Sequence, residues 1–134
     1  MGERYFSPEE VERLIPALTR LMGTVRAGHT EAGELRDRLR AEQERITMSG
    51  GGFVDRQAWK ADRARLERLS TEIQKALDGI LGLGGVPKDL GLGLVDFPHL
   101  RAGQVVNLCW QYGEREIRYW HGLDEGYAAR KPLP

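Results

Sequence analysis

Apolar residues recur every three or four positions from Val11 to Ile80, and beyond Gly85 the repeat falls to two. The first run holds Val11, Leu14, Leu18, Leu21, Val25, Ala32, Leu35, Leu39 and Ile46, interrupted at Gly28 and Glu42. That spacing predicts a long helix with a coiled-coil-like seam. Its start is written in Ser7-Pro8-Glu9-Glu10. The serine hydroxyl accepts from a free backbone N–H, proline needs no donor at the first helical position, and Glu10 completes a capping box. At about 1.5 Å per residue, a helix from Pro8 to Ile46 spans roughly 58 Å. Pro16 lies inside the pattern and predicts a kink in the first two turns. Gly23, Gly28 and Gly33 cost about 1 kcal/mol each against alanine. Their regular spacing either lets another backbone approach closely or marks a weak stretch.

Ser49-Gly50-Gly51-Gly52 predicts a turn at 48–54. A phosphate-cradling loop would need lysine followed by serine or threonine, whereas Phe53-Val54-Asp55-Arg56 follows here. Asp55 is the expected N-cap of a second helix, whose seam is Trp59, Leu66, Leu69, Ile73, Ala76 or Leu77, and Ile80. Gly82, Gly84 and Gly85 stop it. Residues 7–82 thus read as an antiparallel helical hairpin.

The period of two over 85–121 predicts a three-stranded antiparallel meander, followed by a tail at 122–134. Tyr112-Gly113-Glu114-Arg115 fits a two-residue, glycine-first hairpin loop with positive φ at Gly113. In that register Trp110 faces Ile117, Leu108 faces Tyr119 and Val106 faces His121, all on one largely apolar face. Asn107, Cys109, Gln111, Glu116, Arg118 and Trp120 fall on the other. A strand at Leu94–Phe97 adds Val95 and Phe97 to the apolar face and Asp96 to the polar one. The expected fold class is α+β, one domain over 1–134: a helical hairpin packed on a small sheet that needs a helix to cover one side.

Composition changes this picture little. Twenty basic and 20 acidic side chains balance, so nothing marks a polyanion-binding protein. The arginines at 36, 38, 40, 45, 56, 63, 65 and 68 alternate with acids, as on an ion-paired, solvated surface. The one cysteine, Cys109, excludes an internal disulfide and a multi-cysteine zinc site. No apolar run has membrane-spanning length, and a soluble, cytoplasmic protein is expected.

The order of short motifs is distinctive. Tyr5-Phe6-Ser7-Pro8-Glu9-Glu10-Val11 opens the chain. Later come Gly93 to Pro98, Leu108-Cys109-Trp110, Gly113-Glu114, Ile117-x-Tyr119-Trp120-His121, Leu123-Asp124-x-Gly126 and Arg130-x-Pro132. This arrangement resembles the uncharacterised prokaryotic family known as domain of unknown function 2203. The resemblance covers nearly the whole chain and is strongest from Gly91 to Leu133. It implies a small α+β protein and supplies no activity.

Candidate chemistry gathers on the polar strand face and in the tail: Asp96, Glu116, Arg118, His121, Tyr127 and Arg130. Arg130 could take a carboxylate or phosphate. The register places His121 opposite Glu116, so the metal-capable side chains do not close into a coordination set. No metal, cofactor or catalytic residue is expected. Cys109 beside Arg118 lacks a histidine base and reads as a structural, reduced thiol. The functional expectation is a non-enzymatic, self-associating interaction module. Its partner would be a second copy packed on the outer helices, since two helices and a thin sheet cannot cover the whole seam. Neither a membrane nor a nucleic-acid partner is expected. The alternative is a small enzyme or ligand-binding protein using the polar strand face and the tail.

Overall fold

The computed structural model describes residues 4–50 and 55–134. Gly51, Gly52, Phe53 and Val54, part of the expected turn at 48–54, lie outside the described residues. Helix α1 runs over Pro8–Met48 and α2 over Arg56–Leu83. The capping box at α1 is complete: the Glu10 N–H donates to Ser7 Oγ at 3.1 Å and the Ser7 N–H to Glu10 Oε1 at 3.0 Å. Asp55 caps α2 through the Ala58 N–H. Pro16 sits exposed inside an unbroken α1.

The buried stripe of α1 is Val11, Ile15, Leu18, Met22, Val25, Gly28, Ala32 and Leu35. Gly28 belongs to the stripe rather than interrupting it. A Cβ there would lie 2.9 Å from Ile73 Cγ1 of α2, while one at Gly33 would meet nothing. The two readings of these glycines therefore divide between positions. Leu21 packs on Gly79 and Gly28 on Ile73. Glu31 accepts from Arg65 at 2.7 and 3.0 Å, and Asp62 accepts from Arg38 at 2.7 and 3.2 Å. Rising positions of α1 thus meet falling positions of α2.

Among the described residues the sheet has five strands, not three, in the order β1-β2-β3-β4-β5, every neighbouring pair antiparallel. They are β1 (Val86–Asp89), β2 (Leu94–Arg101), β3 (Gln104–Gln111), β4 (Tyr119–His121) and β5 (Lys131–Pro132). The expected strand at Leu94–Phe97 continues to Arg101. It turns into β3 through Ala102 (φ 50°) and Gly103 (φ 79°), the two-residue primed turn that matches strand twist. The tail supplies β5 and a single 3₁₀ turn at Tyr127–Ala129. The main core joins Phe6, Val11, Leu18, Met22, Val25, Ala76 and Ile80 to Val95, Phe97, Leu108, Trp110 and Ile117.

The expected β3–β4 register is wrong by one residue. Cys109 pairs with Tyr119, Leu108 with Trp120 and Asn107 with His121. Gly113 has the expected positive φ of 100°. However, the turn is closed one residue early, by the Glu114 N–H on the Gln111 carbonyl at 2.9 Å. The chain does not return at once. The Glu114 carboxylate accepts the Gln111 N–H, the Glu114 carbonyl accepts the Trp110 indole N–H, and Glu12 of α1 accepts the Ile117 N–H. Side-chain bonds at Glu114 and Ile117 stand where a direct hairpin would have ladder bonds, and β4 enters shifted. Since strand faces alternate, the shift exchanges them. Trp120 packs toward the core, and Tyr119 and His121 join Cys109 and Asp96.

Two glycines give opposite expected outcomes. Gly84, the C-cap of α2 at φ 100°, lies under Phe6, whose ring an added Cβ would strike. Gly84→Ala should cost more than about 1 kcal/mol, whereas Gly33→Ala should gain up to about 1 kcal/mol. Urea denaturation of both variants checks the pair.

Candidate functional site

The outer face of the sheet is covered by its own tail. After β4 the chain turns at Gly122, and Glu125 Oε1 accepts from the Gly122 N–H at 2.7 Å and from Lys131 Nζ at 2.6 Å. These contacts, the lysine's first, hold the Glu125 carboxyl below its usual range. Tyr127 donates to the Gln111 side chain at 3.1 Å. The Leu133 N–H returns to the Arg118 carbonyl at 2.7 Å.

Beneath this cover lies a cavity of about 110 Å³ whose walls include Asp96, Asn107, Cys109, His121, Glu125 and Tyr127. Asp96, Cys109 and His121 are 3%, 1% and 4% exposed. They come from three adjacent strands, and one donor atom of each lies within 4.8 Å of the others. His121 Nε2 is 3.1 Å from Asp96 Oδ1, and Nδ1 is 2.9 Å from the Gly122 carbonyl. A carbonyl and a carboxylate both only accept, so each contact calls for a ring N–H, and a neutral ring supplies one. With that proton on Nδ1, Nε2 is a lone pair pointing at a carboxylate oxygen. That contact needs either a further proton or a cation. Burial, reinforced by the Asp96 charge, pushes the Cys109 thiol up to about 12.

Arg130 stands at one side of this cluster. One of its terminal nitrogens donates to both Glu114 carboxylate oxygens at 2.7 and 2.8 Å and to the Cys109 carbonyl at 3.1 Å. The guanidinium stacks between Tyr119 and Tyr127, 4.1 and 5.1 Å from the ring centroids. The carboxylate it holds is one of this chain's own. Of the sequence candidates, the fold brings together Asp96, His121 and Tyr127, with Arg130 adjoining. It leaves Glu116 and Arg118 outside, paired with each other at 2.8 Å on the surface. Sequence reasoning set Cys109 aside, placed Asn107 on the polar face without carrying it further, and missed Glu114, Tyr119 and Glu125. The alternation of Asp96 and Cys109 was the available signal, and the shifted β4 hid its completion by His121.

The Cys109 thiol should be inert toward a maleimide at pH 8 in the native chain and react at once in denaturant. Because folding favours the neutral thiol, Cys109 withdraws stability as pH rises from about 9 toward 12, where only the unfolded thiol ionises. Cys109→Ala should therefore flatten the alkaline decline in stability, which chemical denaturation across that range measures.

No solved structure matches this chain. It is 35% identical over 97 residues to the sensor histidine kinase AruS of Pseudomonas aeruginosa, covering 70% of this chain and 10% of the kinase. The chain therefore spans about a tenth of that relative's length. The model of the family described as "Uncharacterized conserved protein (DUF2203)" matches residues 4–133. With the motifs at both ends inside that match, the chain belongs to the DUF2203 family.

Proposed function

We propose that this chain is a small ligand-binding protein. Its helices form an antiparallel hairpin that backs the sheet within a single domain, and the site is the cavity between the polar sheet face and the tail. The observation that carries this reading is the burial of Asp96 and His121, both under 5% exposed, around a polar cavity. Burying such groups costs several kcal/mol unless they are satisfied, and a solvated sheet face has no need of a cover. The cavity admits an ion or a few non-hydrogen atoms. A cytoplasmic setting suits the lone unpaired thiol. Among the described residues no helix is long and apolar enough to cross a membrane.

Melting curves against phosphate, small carboxylates and divalent metal salts test this reading. A ligand at a hundred times its Kd adds about 2.7 kcal/mol, or several degrees of Tm. The expected outcome is a shift for the unmodified chain that is absent in Asn107→Leu, which makes the cavity wall apolar. A panel without any shift would remove the proposal.

A second reading, self-association, is favoured by a separate observation. Among the described residues, none of α1 beyond Leu35 and none of α2 before Leu69 is buried. Leu39, Ile46, Trp59 and Leu66 are only half-buried. Leu39 and Trp59 line clefts of about 450 and 370 Å³ on the outer arm. Each large aliphatic side chain gains about 1.5–3 kcal/mol on full burial, so a second copy packed there forms a homodimer through the helices, as a four-helix arrangement. Light scattering should give twice the 15.1 kDa chain mass, and Leu39→Glu should return the monomer with its sheet intact. A monomeric unmodified chain at micromolar concentration excludes it.

A further inference from the structure

We propose that Asp96, Cys109 and His121 bind one zinc-class divalent ion, with the fourth coordination position opening into the cavity beneath the tail. The inference rests on reading that cavity as a ligand site. Asp96 and Cys109 are direct partners on β2 and β3, and His121 reaches them from the end of β4. Bonds of about 2.0–2.3 Å in a tetrahedron set donor atoms roughly 3.3–3.8 Å apart. The Asp96–His121 contact is 3.1 Å and no donor pair exceeds 4.8 Å, so side-chain rotation alone closes the set.

The histidine is already oriented as a ligand. In the tautomer with its proton on Nδ1, the Gly122 carbonyl at 2.9 Å accepts that proton, the support that metal-bound imidazoles ordinarily have. Nε2 is thereby left as a lone pair directed at Asp96. An ion seated among the three atoms removes the clash between that lone pair and the carboxylate. One carboxylate, one thiolate and a neutral imidazole also cancel the two charges of the ion, so the occupied site carries no net charge in a region less than 5% exposed.

The donor types select the metal class. Calcium and magnesium take oxygen ligands, whereas a mixed nitrogen, sulfur and oxygen set suits zinc and its neighbours. Three protein ligands with room for water beside them is the open form of a zinc site, and about 110 Å³ holds that water. On binding, the Cys109 thiol proton and any proton held between Asp96 and His121 leave to solvent. No electron is transferred.

The test is titration of the full, chelator-treated chain with cobalt chloride and zinc chloride. One ion per chain is expected, with a cysteine-to-cobalt charge-transfer absorption that zinc then abolishes. Cys109→Ser, Asp96→Asn and His121→Gln should each weaken binding by at least about tenfold, while Glu116→Gln on the surface leaves it unchanged. Variants at buried positions can unfold, so the cobalt spectrum of the unmodified chain decides. Absence of binding, a cobalt complex without the thiolate band, or unchanged affinity in folded Cys109→Ser each overturns the metal assignment. If phosphate or a carboxylate then still raises the Tm, the cavity stands as a ligand site and only the metal falls. If no solute acts, both fall.

Discussion

Burial of β3 on both sides is the constraint from which the rest follows. Leu108 and Trp110 face the helices with no exposure, and Cys109 between them is 1% exposed on the opposite side. A strand in a thin sheet over two helices would ordinarily have one wet face. Here the tail closes the second. Polar groups beside Cys109 on that face are then cut off from bulk water; Arg130 is held by Glu114 and the Cys109 carbonyl and stacks on two tyrosines, while its Nε is buried without a hydrogen-bond partner among the described residues. The same exclusion of water is why the Asp96–His121 contact carries chemical weight that the same pair would lack at the surface.

The local signals in the sequence were legible where they were self-contained. The capping box at Ser7 and the N-cap at Asp55 depend on residues close in sequence, and the structure places both as read; periodicity located the two helices, although the buried stripe of α1 takes in Ile15, Met22 and Gly28 where Leu14 and Leu21 were read. The face of β2, with Val95 and Phe97 inward and Asp96 outward, was legible for the same reason. What failed depended on distant partners. The turn after β3 was read from Gly113-Glu114 alone. The position of β4 is instead set by Glu12 of α1 holding Ile117, and by the Glu114 carboxylate folding back on Gln111. A glycine-first pair was compatible with two registers, and the apolar count favoured the wrong one because Tyr119 and Trp120 are both large and aromatic. The candidate site shared that error. Asp96, Tyr127 and Arg130 were candidates on their own merits, but the cluster needs His121 on the face of Asp96. β5 was hidden because Lys131-Pro132 is too short to show a period.

The helical arm follows a different logic. Near the sheet α1 and α2 bury a continuous stripe, including the contact at Gly28 that lets Ile73 in. Farther out the apolar packing thins to Ala32, Leu35 and Leu69, and ion pairs between the helices take over at Glu31–Arg65 and Arg38–Asp62. Such exposed pairs contribute about 0–1 kcal/mol each, so they align the helices more than they stabilise them. In this region Arg38, Arg40, Arg45 and Arg65 pair with acids of the same chain.

The lead-in to α1 has a role beyond starting a helix. β1 covers β2 only along Leu94–Asp96. Beyond it the strand's outer edge would be open to a stranger's backbone. Pro98 offers no donor there, its carbonyl takes the Phe6 N–H at 2.7 Å, and the His99 ring meets the Phe6 carbonyl at 2.7 Å. The opposite edge is a two-residue strand containing Pro132. The remaining margin, β1, is a four-residue strand that contains Pro87, so both margins are short and proline-bearing, features that oppose the edge-to-edge polymerisation that exposed strands invite. The chain can carry a sheet whose central strand is buried on both faces along Leu108, Cys109 and Trp110 without its edges becoming a template for aggregation.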